Sequence, residues 1–222
     1  MSSEWPHGTI GFVGTGSMTQ ALASQFATSG VPVLIGSRTP EKAKALAAEI
    51  GSGARACESI KNVIRECGTI WVCLANAKAA DGKYGVVEFL ETYKGDLVGS
   101  GKILIETSNP YLAGFAPPAP HESAMTYHAE YLKSLGDEST AWATAYNSIY
   151  FKSITGVKKQ PTEMCGDYRA RVVLKALIEQ HGWEAADYGG LDSAPLLEPR
   201  GPKRVKHPRI VEYDGCDGLP GK

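Results

Sequence analysis

The stretch Thr9-Ile10-Gly11-Phe12-Val13-Gly14-Thr15-Gly16-Ser17-Met18-Thr19 decides the fold. Its first five residues read as a buried strand. The glycines break the strand, and Gln20-Ala21-Leu22-Ala23-Ser24-Gln25-Phe26-Ala27 continues as a helix. Gly14 permits a tight turn. Gly16, lacking a side chain, lets the backbone approach a pyrophosphate held at the positive end of the helix. Thr19 stands where a third Gly or Ala is usual. A strand-to-helix turn with no ligand would carry much the same residues, so the motif alone does not settle the matter.

The following segment adds to it. Val31-Pro32-Val33-Leu34-Ile35-Gly36 reads as a second strand, ending in Ser37-Arg38-Thr39-Pro40-Glu41-Lys42. A dinucleotide with a free ribose 2′-hydroxyl is commonly held at this strand end by Asp or Glu, about 20 residues after the glycines. Here the sequence places a hydroxyl, a guanidinium and an ammonium group. Arg38 is suited to a 2′-phosphate through forked, charge-assisted hydrogen bonds, so NADP(H) is expected over NAD(H). The alternative is that Arg38 and Lys42 form an ordinary solvated face at a helix start.

Beyond these strands, hydrophobic period and turn residues predict strands near 54–57, 69–75 and 102–107, with helices near 17–29, 40–50, 58–66 and 84–94. Alternation of this kind gives a parallel, doubly wound Rossmann-type α/β sheet with its ligand crevice beyond the carboxyl ends of the strands. Gly14-Thr15-Gly16, Leu74-Ala75-Asn76 and Ser108-Asn109-Pro110 follow three such ends and are expected to converge. Gly82, Lys83 and Gly85 read as a flexible turn or a second phosphate loop. Prolines in 115–120 exclude helix and central strand, predicting a loop over the crevice. A further helix is predicted near 123–132, a sixth strand near 140–146, a helix near 147–155, then strand 161–167, helix 168–181 and strand 183–188. The expected organisation is a nucleotide-binding domain over 1–155, a small α/β extension over 156–198 and an extended tail over 199–222.

At 222 residues, 43% of them hydrophobic and 21% charged, with net charge −1, the chain suits one sizeable core and no nucleic-acid or anionic-membrane partner. No apolar run is long enough to cross a bilayer and the first residues lack a signal-peptide pattern, so a soluble, cytoplasmic protein is expected. Cys57, Cys67, Cys73, Cys165 and Cys216 lack metal-ligand spacing, as do the five histidines, so no metal site is expected. The apolar helix around Val172-Val173-Leu174 offers a surface for a homodimer or for core packing.

With both units laid out, the chain resembles the NADP oxidoreductases that use the deazaflavin coenzyme F420, and the related cytoplasmic domain of the six-transmembrane epithelial antigen metalloreductases. The resemblance spans residues 8–198. It rests on Gly14-Thr15-Gly16, Gly36-Ser37-Arg38, Ser108-Asn109-Pro110, Ala145-Tyr146-Asn147-Ser148-Ile149, and Cys165-Gly166-Asp167 followed by Gly189-Gly190-Leu191. It implies hydride transfer between NADP(H) and a small-molecule redox acceptor, F420, FMN or FAD, with the reactive atoms belonging to the cofactors. No general acid or base is therefore named.

By position, the resemblance implies that Gly14, Thr15, Gly16, Ser17 and Met18 contact the pyrophosphate. Ser37, Arg38, Thr39 and Lys42 would hold the 2′-phosphate. Leu74, Ala75, Asn76, Asn109, Ala145 and Asn147 would line the ribose and nicotinamide. Asn109 before Pro110 can equally make a turn, and Asn147 can cap a helix. Tyr150 and Phe151 stand where the family has smaller residues; they either stack on the acceptor or fill its space. Alternatives to this activity are an imine or carbonyl reductase, a non-catalytic NADP(H)-binding redox sensor, and a ferric reductase working through loosely bound flavin.

Overall fold

The computed structural model describes residues 5–74, 85–107, 117–155, 161–199 and 203. Ala75, Asn76, Asn109, the Gly82–Lys83 turn and nearly all of the tail lie outside the described residues. β1 (Ile10–Val13), β2 (Val33–Gly36), β3 (Arg55–Ala56), β4 (Thr69–Val72) and β5 (Ile103–Glu106) alternate with α1 (Ser17–Thr28), α2 (Pro40–Ile50), α3 (Ile60–Glu66) and α4 (Gly85–Leu97). Then follow α5 (Ala124–Ser134), β6 (Ala141–Ala145), α6 (Phe151–Ile154), β7 (Thr162–Gly166), α7 (Tyr168–Gln180), β8 (Ala185–Asp187), a 3-10 turn at Leu191–Ser193 and α8 (Ala194–Leu197).

All eight strands form one sheet in the order β3-β2-β1-β4-β5-β6-β7-β8. Every pairing is parallel except β6 with β7, where Ala145 faces Met164 and Ala143 faces Gly166. The fold is therefore the Rossmann-type, mainly parallel α/β sheet, with β7 and β8 continuing it past one antiparallel step. Strand order reverses between β1 and β4, which opens a crevice at their carboxyl ends.

Strand side chains alternate between two cores, as a sheet covered on both faces requires. Phe12, Trp71 and Ile105 face a layer that includes α1, α2, α6 and α7, while Val13, Ile70, Leu104 and Trp142 face α3, α4, α5 and α8. The first layer is held by an aromatic cluster, with Phe12 stacked on Trp71 at 6.0 Å and Phe26 5.4 Å from Trp71. The second comes unusually close to the sheet at α3. A β-carbon added at Gly11 or Gly36 would lie 2.5 Å from a Val63 methyl, so these strand glycines let the helix seat. Local signals fix the helix starts: Ser59 accepts from the Asn62 amide and Ser123 from the Thr126 amide, and Pro40 opens α2.

The helix expected over 147–155 is confined to Phe151–Ile154. Tyr146 sits at φ +61°, fully buried, and the chain turns there, with the Ile149 amide returning to the Tyr146 carbonyl. Residues 147–150 are used in that turn and the helix starts late.

Candidate dinucleotide-binding site

A cavity of about 560 Å³ opens where β1, β2 and β4 end. The β1 turn contributes Gly14, Thr15 and Gly16, the end of β2 contributes Ser37, Arg38 and Thr39, the first turn of α2 contributes Lys42, and β4 leads in Cys73 and Leu74. The structure thus brings together eight of the residues singled out from the sequence.

The two turn glycines are needed for different reasons. Gly14 lies at φ +111°, and a β-carbon there would fall 2.4 Å from the Cys73 carbonyl oxygen, so the fold itself requires glycine. Gly16 is extended, at φ −79° and ψ 175°, and among the described residues nothing lies within 4 Å of its missing β-carbon. Neither backbone geometry nor packing by the described residues demands glycine at this position. The free space beside it, at the start of a twelve-residue helix with no acidic residue in its first turn, fits a phosphate approached by backbone N–H groups. Thr19, one turn into α1, is fully buried beside Cys73, so the sheet accommodates the β-branched residue at the helix–strand contact.

At the end of β2 the Ser37 hydroxyl accepts from the Thr39 amide at 3.1 Å and shapes the turn into α2. Arg38 extends into solvent, its side chain 76% exposed, and pairs with Glu88 at 3.4 Å. Together Arg38 and Lys42 supply the positive charge that a ribose phosphate requires.

Apart from Gly85, read as part of a flexible turn or second phosphate loop, the facing wall was not read from the sequence. Gly85, Glu88, Phe89, Thr92 and Tyr93 line the cavity from one side of α4, with Ile60 at the start of α3. Their spacing of three, one, three and one is the helical face period, and that was the signal available. Cys73 also lines the cavity, but burial pushes its thiol up to about 12, so it presents a neutral S–H.

The remaining described candidates are not among the residues that line this cavity. Ser17 is exposed at the first position of α1, whereas Met18 packs on the core. Ala145 and Asn147 are buried at the carboxyl end of β6, where the Thr144 hydroxyl donates to Asn147 at 2.9 Å. Phe151 packs against the core layer containing α1, with the Tyr150 ring 4.5 Å away. Tyr146, between them, is raised well above the ordinary phenol range by burial. Because His181 Nδ1 lies 3.0 Å from the Leu177 carbonyl and donates to it, its Nε2 accepts from the Tyr146 hydroxyl at 3.1 Å. Tyr146 is thus a neutral structural group.

Two motifs that carried the resemblance prove to be one contact far from the cavity. The Gly166 amide donates to the Gly189 carbonyl at 2.9 Å, and Asp167 accepts from the Trp142 amide at 2.8 Å. Among the described residues no group of three or more His, Cys, Asp or Glu side chains could hold a metal ion, and no helix is long and apolar enough to cross a membrane.

A strand-order reversal, a glycine turn and a basic strand end define the class: a dinucleotide-binding Rossmann-type sheet. Comparison with known proteins agrees, since residues 9–114 match the family model for the NAD-binding domain of 6-phosphogluconate dehydrogenase. The chain is 30% identical over 121 residues to the uncharacterized oxidoreductase YkwC of Bacillus subtilis (strain 168), a stretch covering 53% of this chain and 39% of that protein. The chain thus matches about two fifths of that relative's length.

Among solved structures, a hypothetical protein from Sinorhizobium meliloti superposes with a TM-score of 0.68 at 17% identity, over 88% of this chain and 92% of that one. A proposed F420-dependent NADP reductase from Arthrobacter sp. FB24 gives 0.60 at 17% identity, over 83% and 86%. An imine reductase from Pseudomonas sp. gives 0.59 at 17% identity, over 85% and 58%. At these identities the likeness is one of fold.

Proposed function

We propose that the chain is an NADP(H)-dependent oxidoreductase that exchanges hydride with a planar small-molecule acceptor, a deazaflavin such as F420 or a flavin. The observation that carries the cofactor half is that open space at Gly16 and the cations Arg38 and Lys42 border one cavity. Support for the acceptor half comes from the ordered motifs shared with the F420-linked family and from the fold shared with the Arthrobacter reductase.

When bound, the nicotinamide supplies the hydride at its ring C4. The chain's contribution is to bind and orient: the Gly14–Gly16 backbone receives the pyrophosphate, and Ser37, Arg38, Thr39 and Lys42 receive the 2′-phosphate. Leu74 lies on the β4 side, toward the ring end. Orientation and exclusion of water then supply most of the rate acceleration.

The test follows NADPH oxidation at 340 nm with FMN, FAD and F420 offered separately, beside Arg38→Ala. Turnover with one of the three, weakened at least tenfold in NADPH affinity by Arg38→Ala, is expected. NADPH binding without turnover on any of them would refute the acceptor reading, and an unchanged NADPH affinity in Arg38→Ala would refute the placement of the 2′-phosphate.

A further inference from the structure

The end of β2, where dinucleotide sites commonly carry an acidic residue for the ribose, carries Arg38 here. A carboxylate is nonetheless present, brought from the facing wall. Glu88 stands in the first turn of α4, its side chain 33% exposed, lines the same cavity, and places Oε1 3.4 Å from Arg38 Nη1. One cavity end therefore holds both recognition chemistries: a guanidinium for a 2′-phosphate and a carboxylate for a 2′-hydroxyl.

We propose that Glu88 is a specificity-determining residue, which competes with the 2′-phosphate of NADP(H) for Arg38 and accepts from the 2′-hydroxyl of NAD(H), so that the chain separates the two cofactors only weakly. The proposal rests on the reading of this cavity as the dinucleotide site.

Three features of the pair support it. The contact is long and uses one of the five guanidinium N–H groups, and among the described residues it is the one ion pair Arg38 makes. An exposed pair of this kind is weak, so a phosphate can take the guanidinium at small cost. Glu88 also cancels part of the field: Arg38 and Lys42 bring two positive charges and Glu88 returns one negative charge, within the distance over which salt leaves such effects visible. A phosphate seated there meets a carboxylate across the cavity, whereas a hydroxyl meets an acceptor. Thr92, one turn along the same face of α4, adds no charge.

The test is a fluorescence titration of NADPH and NADH, at one fixed ionic strength, against the native chain, Glu88→Gln, Arg38→Ala and the double variant. Glu88→Gln is expected to tighten NADPH about three- to tenfold and to weaken NADH about threefold, raising the ratio of the two Kd values about nine- to thirtyfold. In the Arg38→Ala background the same change should raise the ratio by less than half that factor on a logarithmic scale, because the guanidinium over which Glu88 competes is gone. A ratio within twofold of the native value in Glu88→Gln would overturn the role of Glu88, as would equal shifts for both cofactors. A native chain that binds neither cofactor would instead overturn the site reading beneath it.

Discussion

The two edges of the sheet are built on opposite plans. At the amino edge, charged side chains close off the chain's own backbone. Asp137 accepts from the Gly99 amide, the Ser139 hydroxyl and the Thr140 amide at 2.8 to 3.0 Å, tying the turn after α4 to the turn before β6. Arg169 donates to the carbonyls of Gly101, Lys102 and Ser139 and joins α7 to the same turns. At the carboxyl edge, Arg38 and Lys42 face a cavity, and Gly16 leaves space that no atom of the described residues fills.

Two carboxyl groups register the difference. Burial acts to raise Asp137, but hydrogen bonds from Gly99, Thr140 and Ser139 outweigh it and hold the group below the usual carboxylate range. Glu198 packs against the start of α5, accepting from Ser123 and from the Met125 amide, while its second oxygen finds no partner among the described residues. Burial, with the nearby Glu106 adding to it, pushes Glu198 up to about 7 despite those bonds. Asp137, at the amino edge, is thus held charged by its donors, whereas Glu198, toward the carboxyl edge, keeps one oxygen to spare.

The comparison is most easily broken at Gly166. At φ +152°, a β-carbon there would lie 2.3 Å from the Trp142 carbonyl oxygen and 2.6 Å from the Ala143 α-carbon. Gly166→Ala should lower unfolding free energy by ~3 kcal/mol or more, measured by urea unfolding, because rigid backbone must move. A loss under ~1 kcal/mol would show the amino edge to be less tightly built than described.

A comparable effect is expected from pH at Glu198. Its folded value lies above the ordinary 4.5 of the unfolded chain, so its contribution is complete below that value and is lost as pH rises through about 7. Over that window the loss amounts to ~3 kcal/mol, and Glu198→Gln should flatten that part of the stability curve. Asp137 carries the opposite sign, contributing above its unfolded value and losing that contribution as pH falls through the lowered one. Asp137→Ala should cost ~2 kcal/mol at neutral pH, the smallest of these effects, through three donors left without their acceptor. Urea midpoints across pH for both variants would separate the two signs.

Much of this arrangement was legible beforehand. Strands alternating with amphipathic helices, punctuated by Gly14, Gly36 and Pro40, determine a parallel sheet by local period alone, and the sites at β1 and β2 follow from their strand ends. What depended on distant partners was not legible. The late start of α6 follows from the left-handed Tyr146, held among Trp71, His181 and Trp183. Cys165-Gly166-Asp167 and Gly189-Gly190-Leu191 were visible as motifs, yet their meeting as a backbone contact requires β7 to lie antiparallel to β6. Glu88 stands fifty residues from Arg38 and carries no local mark of its role.

The central claim is that the carboxyl edge is left open for the pyrophosphate of a dinucleotide, and Gly16→Asn tests it most directly. Asparagine is a good residue at this helix start and the backbone there is extended, so stability should stay within ~0.5 kcal/mol of the native chain. Calorimetric titration with NADPH should meanwhile show affinity reduced at least tenfold, because the new side chain occupies the space beside the turn. Equal NADPH affinity in the native chain and Gly16→Asn, or no binding heat in either, would contradict it.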